Sequence, residues 1–179
     1  MRLRKQKKVV AVTLATAIAV STISASASAV SYDLSKGDVT VDQDKDKGAF
    51  SYQGEDKGEN RTYVNEDKKD EGKIIVNQEN KDEVTSNTVT VKEDVKKTEG
   101  GRDVDIVVDG VKVDTSGTSK NTVTVGEGAD VDLTVKDSTL TTGGNGIDIG
   151  KDLDGKDENK DTKVDLTLQG STINLTNKN

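Results

Sequence analysis

Short runs of Val, Ile and Leu at period two recur along most of this chain, separated by polar or glycine-bearing breaks. Period two marks an extended strand with one buried face. In Asn121 to Thr142, NTVTVGEGADVDLTVKDSTLTT, the pattern predicts a five-residue strand, a short Gly-rich turn, a second strand and a third. Imperfect copies flank this unit. NTVTV occurs at 87–91 and at 121–125, and NGIDI follows at 145–149. VDIVVDGVKV at 104–113 matches VDLTVKDSTL at 131–140 and VDLTLQGSTI at 164–173. Asn60, Asn87, Asn121 and Asn145 each open a short strand, at spacings of 27, 34 and 24 residues. That range is one coil of a three-stranded solenoid. The copy at Asn60, NRTYV, is the weakest; KIIVN at 73–77 would be its second strand, and it has no clear third.

Parity assigns the inside of each coil. Val89 and Val91, Val123 and Val125, and Ile147 and Ile149 share one face of the first strand. In the second strand the same holds for Val104, Ile106 and Val108, for Val131, Leu133 and Val135, and for Val164, Leu166 and Leu168. Val113, Leu140 and Ile173 supply a third wall. Burial of an aliphatic side chain is worth roughly 1.5–3 kcal/mol, which offsets the ordering entropy of a coil only when neighbouring coils cover it. The chain has no proline, as expected where every inner strand must donate its backbone N–H groups. The four asparagines fall inward by parity. Two readings follow: a side-chain ladder from coil to coil, or separate turn asparagines facing solvent.

These coils, with an inward Asn at a turn, resemble the right-handed parallel β-helix of pectate-lyase-like proteins. The stretch VDIVVDGVKVDTSGTSKNTVTV is also similar to secreted bacterial β-helix proteins described as carbohydrate-binding domain-containing. The resemblance covers about residues 60–179 and implies an all-β fold of three-strand coils. No ligand-binding residue transfers with it.

Residues 30–59 read as an N-terminal cap and first strands: Val39-Thr40-Val41 fits a first strand, and the chain's four aromatic residues, Tyr32, Phe50, Tyr52 and Tyr63, lie in or near the segment. Residues 1–29 read as a secretory signal: a basic MRLRKQKK, an uncharged run from Val9 to Val20, and small-residue cleavage sites in SASASA. The alternative is an uncleaved anchor. The chain stops at LTNKN just after a third-wall strand. It therefore reads as truncated at the C-terminus, a piece of a longer surface protein with further domains, unless that polar end is itself the cap.

Charge narrows the function. The chain has 26 basic and 33 acidic residues, for a net charge of −7. The leader holds five of the basic residues and none of the acidic ones, so its removal leaves 21 against 33, a net of −12. That sign disfavours nucleic acid and anionic membrane surfaces and favours cations. Histidine and cysteine are absent, which excludes the usual zinc sites and Ser-His or Cys-His catalysis.

Three groups are candidates for chemistry. Asp105, Asp132 and Asp165 occupy the same outward position of the second strand and form a column. Such a column is either solvated, with Lys163 nearby, or bridged by calcium. The loop containing Asp152, Asp154, Asp157 and Glu158 offers several oxygens around a glycine, which suits Ca²⁺ although the spacing is not an EF-hand. Asp42, Asp44 and Asp46 form a similar near miss. The connections 92–103, 126–130 and 150–163 leave the same edge, so the two long ones are expected to wall a floor made by the short one. Relatives by fold include polysaccharide lyases, and Arg102 would be the arginine to test for such an activity. The expected function is a secreted or cell-surface, non-enzymatic module that binds polysaccharide or cell-surface glycan with calcium. The alternatives are a structural adhesin or stalk segment and a lyase remnant.

Overall fold

A computed structural model describes residues 10–14, 30–44, 49–56, 59–64, 73–96, 104–156 and 160–176. In chain order the strands are β1 (Val10–Leu14), β2 (Val30–Asp33), β3 (Val39–Asp44), β4 (Ala49–Asp56), β5 (Glu59–Val64), β6 (Lys73–Asn77) and β7 (Val89–Val91). They continue as β8 (Val104–Asp109), β9 (Lys112–Thr115), β10 (Val123–Gly126), β11 (Asp130–Lys136), β12 (Thr139–Thr142), β13 (Ile147–Lys151), β14 (Thr162–Gln169) and β15 (Thr172–Leu175). A single 3-10 turn, Leu34–Lys36, interrupts them among the described residues.

The strands form three sheets. Sheet A has the order β1-β14-β11-β8-β6-β2, sheet B has β13-β10-β7-β3-β4-β5, and sheet C has β15-β12-β9. From β8 onward the chain visits A, C and B in turn: β8, β9 and β10, then β11, β12 and β13, then β14 and β15. The circuit before these is β6, a lone bridge from Thr85 to Val113, and β7. The first circuit is β2, the 3-10 turn and β3. Every pairing between successive circuits is parallel.

Matched aliphatic residues set this register, as period two predicts. Val131 stands between Val104 and Val164, and Leu133 between Ile106 and Leu166. On sheet B, Val123 stands between Val89 and Ile147. On sheet C, Leu140 stands between Val113 and Ile173. Ile106, Val108, Val125, Leu133 and Leu140 are completely buried. A one-residue slip would turn each of these columns to solvent. Cover thins toward the end of the stack, where Ile147, Ile149, Leu168 and Ile173 are only partly buried and Leu175 is 67% exposed.

Three places bear on the sequence reading. NRTYV is not a coil strand. It lies in β5, which pairs antiparallel with β4, and β4 pairs antiparallel with β3. The first sheet-B strand of the stack is instead β3, whose Val39 and Val41 register with Val89 and Val91. The meander covers the outer edge of β3, which would otherwise present open backbone groups. KIIVN does form a sheet-A strand, between β2 and β8. Second, the apolar run read as a leader supplies β1, which pairs with β14 from Val10↔Thr162 to Leu14↔Leu166.

Third, no ladder of asparagine side chains forms among the described residues. Asn87 Nδ2 donates to the Leu34 carbonyl at 2.9 Å, and Asn121 Nδ2 donates to Asp148 Oδ2 at 2.9 Å. Asn145 is exposed and meets Asn121 only through its backbone N–H, at 2.8 Å. At these turns the side-chain N–H groups go to a carbonyl and a carboxylate instead of to the next asparagine. The side chain of Asn60 lies outside the described residues. Stacked polar columns occur elsewhere. At the A–C corner Gln78 Oε1 accepts from Lys112 N at 2.8 Å, Ser138 Oγ from Val111 N at 3.1 Å, and Ser171 Oγ from Ser138 N at 3.1 Å. At the end of sheet C the buried Thr115 and Thr142 hydroxyls meet at 3.1 Å. These short side chains satisfy backbone groups that the bend removes from the sheet ladder.

Candidate functional site

The outer face of sheet A carries the predicted aspartate column. Asp132 is in register with Asp105 on one side and Asp165 on the other, and Lys73 precedes Asp105 in the same row. The inward column fixes this alignment, because outward residues must follow the register of their buried neighbours. With Thr134 and Thr167 these residues line a shallow cavity of about 340 Å³. Carboxylates one strand spacing apart repel one another, which favours a bound cation or a donor-rich ligand. Lys163 does not serve Asp165. It pairs with Asp130 at 3.5 Å, its direct partner across β11 and β14.

The loops between sheets B and A differ from expectation. In their described parts, the two long connections do not wall an open floor. They close over the short one. Lys160 Nζ pairs with Asp94 Oδ2 at 2.8 Å, joining the long loops. Glu93 Oε1 accepts from Leu153 N at 2.5 Å and from Asp154 N at 3.1 Å. Beneath them runs the short loop, with Gly128 at φ +77°. A Cβ there would lie 2.5 Å from Asp94 Oδ1 and 3.0 Å from Lys160 Cδ. Only glycine allows both that backbone and that approach. Glu127, in the same loop, is 2% exposed.

This closure regroups the acidic residues. Glu93, Glu127 and Asp152 bring one carboxylate oxygen each within 4.8 Å of one another. Of the two described residues among those expected to hold a metal, Asp152 joins the group and Asp154 does not. The Asp152 Oδ1 also accepts locally from Gly155 N at 2.6 Å. Asp154 is engaged by Lys156, at 2.8 Å from Nζ and 2.9 Å from the backbone N. The hydrogen bond from the Lys156 side chain, then that from its backbone, holds the Asp154 carboxyl below its ordinary pKa. A carboxylate so occupied is a poor ligand for a further cation. Asp157 and Glu158 lie outside the described residues, as do Asp46, Arg102 and the side chain of Asp44.

Three carboxylates converging from three circuits suit a hard divalent cation such as Ca²⁺, which takes oxygen ligands in adaptable geometry. The sequence held a signal for this group. Glu93 follows Val91 by two residues, Glu127 follows Val125 by two, and Asp152 follows Ile149 by three. The odd spacing in the last copy matches a register shift, where Gly126 pairs with Lys151.

Comparisons with protein-family models, curated proteins and solved structures find no match for this chain. Among the described residues no helix is long and apolar enough to cross a membrane.

Proposed function

We propose that this chain is a secreted or cell-surface right-handed parallel β-helix that binds polysaccharide and catalyses no reaction. The observation that supports this reading is the in-register row Lys73, Asp105, Asp132 and Asp165, flanked by Thr134 and Thr167 along one open groove. A row of acceptors and hydroxyls on a rigid sheet suits hydrogen bonding to successive sugar hydroxyls, and its charge suits a bridging calcium ion. Glu93, Glu127 and Asp152 would hold a second calcium, whose charge would neutralise the closed corner. The leader would direct export, and the chain would be one module of a longer surface protein.

A glycan array probed with the full chain, in millimolar Ca²⁺ and in chelator, tests the reading. Binding that falls at least tenfold in chelator and in Asp132→Asn supports it. No bound glycan in either condition would leave the structural stalk as the better reading. Release of unsaturated uronate products would replace both with a lyase.

A further inference from the structure

The outer face of sheet B carries a second groove, of about 480 Å³. Its chemistry differs from that of the aspartate row. Its floor is Thr90 and Thr124, in register with each other, with Asp148 next in line. Ser119, Lys120, Asn121, Asn145 and Lys151 also line it. Asn121 Nδ2 bridges Thr124 Oγ1 at 3.4 Å and Asp148 Oδ2 at 2.9 Å. That network fixes the floor and engages the groove's one carboxylate. Five donors remain: the hydroxyls of Thr90 and Ser119, the side-chain amide of Asn145 and the ammonium groups of Lys120 and Lys151. None makes a side-chain hydrogen bond or ion pair among the described residues.

We propose that this groove is a metal-independent binding site for a saccharide of low charge density bearing carboxylates, such as one with a uronic acid at every second sugar. Two ammonium groups facing one groove supply the charge complement for a carboxylate. The hydroxyls and the Asn121 amide suit the intervening sugar hydroxyls. Residues 64–179 contain no aromatic ring, so a neutral sugar would find no stacking surface there and charge is the remaining handle. The chain's net charge of −7 sets the other limit, because it repels a densely charged polyanion. The proposal shares with the sheet-A reading only the class of ligand. It uses other residues and needs no calcium.

The test is calorimetric titration of the full chain with a hyaluronan octasaccharide in chelator, with NMR to locate the site. Binding that shifts the amide signals of Thr90, Asn121 and Thr124 is the expected result. A Lys120→Ala/Lys151→Ala double variant should bind at least tenfold more weakly, and Lys120→Arg/Lys151→Arg should restore most of the affinity. Both lysines are exposed, so the fold should survive, as circular dichroism can check. Lys112→Ala, on sheet C and outside both grooves, should bind like the parent chain. Absence of binding in chelator would overturn the proposal, as would an unchanged double variant. Equal affinity for a neutral chitin oligosaccharide, or tighter binding of a heparin fragment, would also overturn it, because each removes the specific role of a sparse carboxylate. Loss of binding in Asp132→Asn with the lysine variants unchanged would return the ligand to sheet A.

Discussion

The outer faces of sheets A and B are built on the same register and present opposite chemistry. Sheet A repeats one residue type, with Asp105, Asp132 and Asp165 in line. Sheet B runs Thr40, Thr90, Thr124 and then Asp148. Beneath both faces lie the same Val, Ile and Leu columns, most of them buried. The inward residues therefore fix where the outward ones stand and leave their identity free. The two faces can diverge without disturbing the stack, and a cation-seeking row and an anion-seeking groove can coexist on one scaffold.

The strongest way to break the comparison is to break what the faces share. Leu133 is completely buried, between Ile106 and Leu166. Leu133→Ala should cost about 2–5 kcal/mol in urea denaturation, from the lost transfer free energy and the cavity left behind. If the core supports both faces, ligand binding on A and on B should melt away together.

A smaller effect should separate the corner from the faces. Gly128→Ala adds a Cβ against Asp94 and Lys160 at a positive φ. The expected cost is about 1–3 kcal/mol. Any calcium-dependent rise in melting temperature that depends on Glu127 should vanish with it, while saccharide binding at Lys120 and Lys151 should persist.

The smallest effects sharpen the contrast between the faces. Asp132→Asn removes the middle charge of the sheet-A row and, without calcium, should raise stability by about 0.2–1 kcal/mol. Thr124→Asp places a new carboxylate in register with Asp148 on sheet B and should lower stability by a similar amount. Both effects should shrink at high salt, because exposed charges are screened. Equal stability of Asp132→Asn and the parent at low salt would show that the row is already neutralised by its neighbours.

Much of the stack was legible beforehand because its logic is local. The parity of VDLTV and NTVTV names the buried face, and identical copies can align in one register only. That reasoning placed the Asp105, Asp132 and Asp165 row correctly before any pairing was known. It failed at NRTYV, where a strand of similar pattern pairs antiparallel in a meander. Pattern reports a half-buried strand, not the direction of its partner.

What the sequence by itself determined was the inside of each circuit and the order of circuits, since both follow from side-chain alternation and repetition. The closed corner was decided by tertiary structure alone. Lys160 reaches Asp94 across 66 positions, and Glu93 holds the backbone of residues 153 and 154, in loops of unequal length that share no pattern. The asparagines teach the same lesson, because which acceptor an amide chooses depends on distances that exist only after the turns have formed. Alternation is a property of the chain, but a contact between loops is a property of the folded body.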